Sequence, residues 1–175
     1  DQSSSWYLKV NESGDIEASN NLGSSNSVYN SIVERSGGDY CVTGSIIVNQ
    51  DKNLLIENID GDGSVIWSND YDLEYPDAGN AIIYLNDGNI GVTGFAHINT
   101  VNQDILVMKI NPNDGSKIWS TYIGGEERDE GHDILPTTNG GMYILGETHS
   151  YGDGDGDIWI LELDTDGIIL DTLLI

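Results

Sequence analysis

Residues 152–167 read GDGDGDIWILELDTDG, with aspartates and glycines on both sides of the apolar run Ile158–Leu163. An EF-hand calcium loop places oxygen ligands at positions 1, 3, 5 and 12 and a glycine at 6. Counted from Asp153, acids fall at Asp153, Asp155, Asp157 and Asp164, but position 6 is Ile158. The run IWILEL that starts there is a strand and cannot curl round an ion. At about 3.3 Å per residue it holds the two acidic turns about 20 Å apart, so they serve opposite ends of one strand. A looser calcium candidate remains in Asp153, Asp155 and Asp157, because the intervening glycines let the carboxylates converge. The competing reading is an acidic connector.

Outward from this stretch the chain repeats itself. An apolar strand followed by a glycine turn recurs as WYLKVNESG, LLIENIDGDG, ILVMKINPNDG and IWILELDTDG, ending at Gly14, Gly63, Gly115 and Gly167. The glycines are 49, 52 and 52 residues apart. GGDYCVTG, DGNIGVTG and GGMYILGE keep step, and a tryptophan follows the turn glycine by four residues at Trp67 and Trp119. Ala18 and Asp171 stand at that place in the first and last units. Each unit reads as four short strands joined by Asn/Asp/Gly turns, with no helical period of useful length. Four strands in about 50 residues is the content of a β-propeller blade. The units fall at about 5–52, 53–103 and 104–156, with a partial one at 157–175. The expected fold is all-β, about three and a half four-stranded antiparallel β-propeller-type blades, with IWILEL innermost. The final IILDTLLI is expected to be a strand lacking its third and fourth partners, an exposed edge that invites pairing.

DIWILELDTDG, DGSKIWSTYIGG and GGMYILGETHS together resemble the tandem propeller repeats of large secreted bacterial and archaeal surface proteins. The resemblance covers essentially the whole chain, and the first unit follows it least. It implies the blade fold and a secreted or cell-surface setting. It does not imply one activity, because propellers host binding, scaffolding and catalysis alike.

Thirty Asp and Glu against six Lys and Arg give a net charge of −24. Such a surface repels phosphate backbones, which makes nucleic acid and anionic membranes poor partners. No apolar run is long enough to span a membrane. The opening Asp1-Gln2-Ser3-Ser4-Ser5 reads as a processed or trimmed N-terminus. A single cysteine, Cys41, provides no intramolecular disulfide and reads as a small buried hydrophobe.

Other motifs carry weaker chemistry. The turns Asp60/Asp62/Gly63, Asn111/Asn113/Asp114/Gly115 and Asp164/Asp166/Gly167 resemble the calcium loops of integrin-type propellers. Ile66, Ile118 and Leu170 stand where those loops need a carboxylate, so hairpin chemistry is the better reading. The Gly-x-x-x-Trp spacing resembles the tryptophan docking motif of quinoprotein dehydrogenase propellers, which bind pyrroloquinoline quinone and calcium. The chain is too short for their ring, and the tryptophans read as packing between neighbouring blades. His97, His132 and His149 lack metal spacing. Glu126, Glu127, Asp129 and Glu130, with Arg128 among them, read as a solvated loop. Asn11-Glu12-Ser13 is a glycosylation sequon on a turn, and Tyr71, Tyr75, Tyr122 and Tyr151 could stack on sugars.

The functional expectation is a non-enzymatic extracellular structural or adhesive module that assembles with further copies or with another segment. The alternative is a ligand-binding propeller for glycan or calcium, and a quinoprotein-like enzyme fragment stands third. No catalytic residue and no certain cofactor is assigned.

Overall fold

Short runs of β-branched and aromatic residues, punctuated by Gly, Asn and Asp, fold into successive hairpins. The computed structural model describes residues 5–22, 26–73, 75–153 and 155–175, which form fourteen strands and no helix. β1 (Ser5–Val10) and β2 (Ile16–Leu22) make a two-stranded sheet. β3 (Ser27–Glu34), β4 (Tyr40–Val48), β5 (Asp51–Ile59) and β6 (Val65–Tyr71) make the first full sheet, in that spatial order. β7 (Asp77–Tyr84), β8 (Ile90–His97), β9 (Gln103–Ile110) and β10 (Lys117–Ile123) make the second. β11 (Asp129–Pro136), β12 (Met142–Thr148), β13 (Asp157–Leu163) and β14 (Ile169–Leu174) make the third. All pairings in these sheets are antiparallel.

The blade-like units are therefore three full sheets and one half, but the sheets are cut at a different phase from the sequence repeat. Between the full sheets the cut falls in the acidic loops 72–76 and 124–128, where the chain passes to the next sheet instead of turning back in a hairpin. IWILEL belongs to β13, the third strand of its sheet and not the innermost. The inner strands are β3, β7 and β11, since β7 packs on β3 and β11 on β7. IILDTLLI is likewise the outer edge of a complete sheet: β14 pairs with β13, and Ile175 and Ile158 exchange backbone hydrogen bonds of 2.9 and 3.0 Å. The incomplete sheet is β1–β2, at the other end.

Each inner strand carries a β-bulge at the same place, at Asn30, Asn80 and His132. A bulge re-aims its side chain and increases local twist. The glycine opposite, Gly44, Gly94 or Gly146, sits against an inner-strand carbonyl, of Val28, Ala78 or Glu130, where a Cβ has no room. The repeated VTG and ILG tripeptides are thus a packing requirement of the bulge.

The core lies in three layers between the four sheets. Tyr7 packs with Leu22, Val42 and Ile59 between the half-sheet and the first full sheet. Cys41, Leu54 and Ile56 meet Ile82, Val92, Leu106 and Met108 in the next layer. Ile105 and Val107 meet Ile134, Ile144, Trp159 and Leu161 in the last. Leu54, Ile56, Ile105, Ile144 and Leu161 are each fully buried. At about 1.5–3 kcal/mol per buried large apolar side chain, these layers are the main favourable term for stacking the sheets.

Candidate assembly interface

Three devices join each full sheet to the next, and each uses a position in the repeat. In the first, the bulge asparagine reaches forward. Asn30 Nδ2 donates to Gly79 O at 2.9 Å, and Asn80 Nδ2 donates to Gly131 O at 2.9 Å. In the second, Thr43 and Thr93 fill the hollow left by Gly79 and Gly131 of the following inner strand. Their hydroxyls donate to Leu55 O at 3.2 Å and Leu106 O at 3.0 Å, so neither buried hydroxyl is stranded. In the third, the outer-strand indole docks on the next turn. Trp67 Nε1 donates to Pro112 O and Trp119 Nε1 donates to Thr165 O, both at 3.1 Å. The expected packing role of the two tryptophans is what the geometry shows.

Polar side chains reinforce these joints. Lys109, almost wholly buried, donates to Thr165 O at 3.1 Å and pairs with Asp87 at 2.8 Å. Tyr71 Oη donates to Gly115 O, and Asn69 Nδ2 to Asp114 O at 3.0 Å. At the half-sheet, where Ala18 replaces the tryptophan, Tyr7 packs over Gly63 and its hydroxyl donates to Gly61 O at 3.3 Å.

Asp77 and Asp129 open the second and third inner strands and are both fully buried. Asp77 accepts the Leu54 N–H, and burial pushes its carboxyl up to about 7, with Asp51 and Asp72 adding to the shift. Asp129 Oδ2 accepts the Gly125 N–H at 2.9 Å and the Ser150 hydroxyl at 2.6 Å. This corrects the solvated-loop reading of 126–130. Glu126, Glu127 and Arg128 are exposed, but Asp129 is interior and Glu130 is half-buried. Burial alone would raise the Glu130 carboxyl; hydrogen bonds from Asn80 and Arg128 hold it below the ordinary range. The signal available in the sequence was the pair Asp77-Ala-Gly79 and Asp129-Glu-Gly131, each leading an apolar strand.

The other predicted residues fall as follows. Asp153, Asp155 and Asp157 lie on the loop before β13 and at its first residue, with Gly154 outside the described residues. The Asp153 N–H donates to Asp157 Oδ2 at 3.0 Å, while Asp155 is exposed. Among the described residues no three of His, Cys, Asp and Glu gather in a metal-holding geometry. Asp60 Oδ1 accepts the Asp62 and Ser64 N–H groups at 3.0 and 2.8 Å, and Asp164 Oδ1 accepts those of Asp166 and Ile168 at 2.9 Å. These are Asx turns that close the hairpins. Asn11 repeats the arrangement with Ser13 and Asp15, so the sequon asparagine is part of its turn.

His132 and His149, distant in sequence, both face Glu147, at 3.6 and 2.8 Å. His97 Nδ1 lies 2.9 Å from Pro76 O. The Tyr151 hydroxyl donates to Gly124 O at 3.0 Å, and its ring leans on Trp159. Cys41 is buried, and burial pushes its thiol up.

Among the described residues, no other sheet covers the forward face of the third full sheet. Leu135, Tyr143, Leu145, Ile158 and Leu173 stand there, each 41–60% exposed. Two of the equivalent positions inside the chain are fully closed: Ile105 stands where Ile158 does, and Thr93 where Leu145 does, both at 0%. At the other end, Ile32 is 52% exposed, against 4% for Ile82 and 1% for Ile134. Among the described residues the half-sheet has only two strands, so Ile32 lacks the cover that β3 and β4 give Ile82.

No protein-family model and no curated protein sequence matches the chain. Among solved structures, the chain is similar to one described as the crystal structure of the eukaryotic initiation factor. The TM-score is 0.52 at 9% identity, covering 92% of this chain and 39% of that one. At that identity the likeness concerns the fold alone.

Proposed function

We propose that this chain is a non-enzymatic structural module of an extracellular or cell-surface protein, which assembles with further protein through its open sheet faces. The observation that carries the reading is the forward face of β11–β14, where Tyr143, Leu145 and Ile158 stand exposed at positions buried in the two preceding junctions. A contiguous apolar face of this kind marks an interaction surface. The turn carboxylates of Asp60 and Asp164 are engaged by their own backbone, which supports a scaffolding role for the loops. The secreted setting is supported by the acidic composition and the repeat resemblance.

The experiment is a hydrophobic-dye titration with Leu135→Lys/Leu173→Lys as the comparison. The wild-type chain is expected to bind dye, and the double variant to lose that binding with its melting temperature retained. A wild-type chain that sediments as a monomer and binds no dye, or a double variant that unfolds like a core mutant, overturns the reading.

A further inference from the structure

The residues that join one sheet to the next inside the chain are replaced on the last face by residues of opposite hydrogen-bonding character. Register places Glu162 opposite Tyr143 and Asp171 on β13–β14, as Lys109 stands opposite Gly91 and Trp119 on β9–β10. Lys109 and Trp119 both donate to the carbonyl of Thr165 in the following turn. Glu162 and Asp171 are carboxylates and only accept. Whatever covers this face must bring donors where an ordinary blade turn offers a carbonyl.

Two further replacements change its shape. Tyr143 stands where Gly91 does, and Leu145 where Thr93 does. The hollow of an inner-strand glycine accommodates a threonine, not a leucine. Tyr143, Leu145 and Ile160, with Asp133 and Leu135, line a groove of about 290 Å³ along the inner half of the face. Glu162 and Asp171 border its outer half, beside Leu173. The Glu162 carboxylate, with Asp171 behind it, pushes the Tyr143 phenol up, so Tyr143 stays a neutral hydroxyl beside the two carboxylates at the border of the apolar floor.

A second copy of the chain does not supply the complement. Its opposite end carries Glu12, Asp15 and Glu17 around the β1–β2 turn, where Lys9 is already paired with Glu17 at 3.5 Å, and each copy has a net charge of −24. At the inner strand it presents Tyr29 where Gly79 and Gly131 stand in the later sheets, so Leu145 would meet a large side chain instead of a hollow.

Resting on the assembly reading above, we propose that this face binds an extended segment of another protein that lays apolar side chains along Leu135, Leu145, Ile160 and Leu173 and sets a lysine or arginine on Glu162 and Asp171. The apolar groove supplies contact area, and the carboxylate pair fixes register and the sign of the partner. An acidic or purely apolar segment leaves the carboxylates uncompensated and is rejected.

The test uses the whole chain and a blocked ten-residue peptide with serine at every odd position and valine, valine, valine, lysine and lysine at the even ones, which puts apolar and cationic side chains on one face, at about 0.15 M salt, where the Debye length is about 8 Å and the general field is screened. Glu162→Gln/Asp171→Asn is expected to weaken binding roughly tenfold or more. Glu126→Gln/Glu127→Gln, which removes the same charge from an exposed loop, is expected to leave it unchanged. Leu173→Ser is expected to weaken it as well, separating contact from charge. Equal losses in the two charge variants reduce the effect to net charge and overturn the proposal, as does a peptide that fails to bind. A face that binds dye but ignores the peptide leaves the assembly reading standing while this one falls.

Discussion

The indole of Trp119 lies against Gly167 where a Cβ would have to be, with ring carbons 2.8–3.1 Å from that position. Trp67 and Gly115 repeat the relationship one sheet earlier. The glycine therefore meets two demands: positive φ for the hairpin, at +82° for Gly167, and an open face for the neighbouring ring.

These demands separate by mutation. Gly88 has φ +83° and open space for 4 Å around the place a Cβ would take, so Gly88→Ala is expected to cost only the left-handed backbone penalty, about 1–2 kcal/mol. Gly167→Ala also displaces Trp119, and its expected cost is about 3 kcal/mol or more. Urea unfolding of the two variants, with tryptophan fluorescence as the probe, measures the difference. Equal costs would mean that the indole does not bear on the turn.

The three equivalent isoleucines give a second test. Ile134 is 1% exposed and Ile32 is 52% exposed. Ile134→Ala is expected to destabilise by about 2–5 kcal/mol, and Ile32→Ala by less than about 1 kcal/mol. A large loss at Ile32 would show that the inner side of the half-sheet is covered in solution.

Asp77 sets a pH dependence of definite sign. Its carboxyl is pushed up to about 7 in the folded chain, principally by burial, and in an unfolded chain it titrates near 4. The folded state therefore holds a proton that the unfolded state releases. This contribution to stability is full below about pH 4 and is lost as pH rises to about 7. The slope is at most about 1.4 kcal/mol per pH unit. The stability difference between wild type and Asp77→Asn, followed by chemical denaturation from pH 4 to 8, is expected to move in favour of the variant up to about pH 7 and then level off. A flat difference would place the Asp77 carboxyl in contact with water.

A chelator tests the acidic connector. The Asp157 carboxylate already takes the Asp153 N–H. Excess EDTA is expected to leave the melting temperature unchanged, and Asp153→Asn/Asp155→Asn is expected to do the same. A fall on chelation that the double variant abolishes would establish a cation on that loop.

IWILEL as a strand and DTDG as its turn were legible one by one, because an apolar run and a glycine turn are local properties of the chain; GDGDGD read as the connector leaving a unit, whereas its described residues join β12 to β13 within one sheet. So were the docking tryptophans, since their spacing from the turn glycine is fixed within one hairpin. The burial of Asp129 was not legible. Its neighbours Glu126, Glu127 and Arg128 are solvated, and only the packing of β11 on β7, β8 and β9 draws this carboxylate inside.

By itself, then, the sequence determined the strands, their turns, the period near 50 and the blade-like unit, all of which follow from backbone preferences over a few residues. Only the tertiary structure decided where one sheet stops and the next begins. Successive strands look alike locally, and the loops at 72–76 and 124–128 become sheet boundaries only because the strand after each packs across the preceding sheet instead of pairing with its edge. The same decision placed the half-sheet first, moved IWILEL away from the inner position, and left Glu162 and Asp171 on an uncovered face.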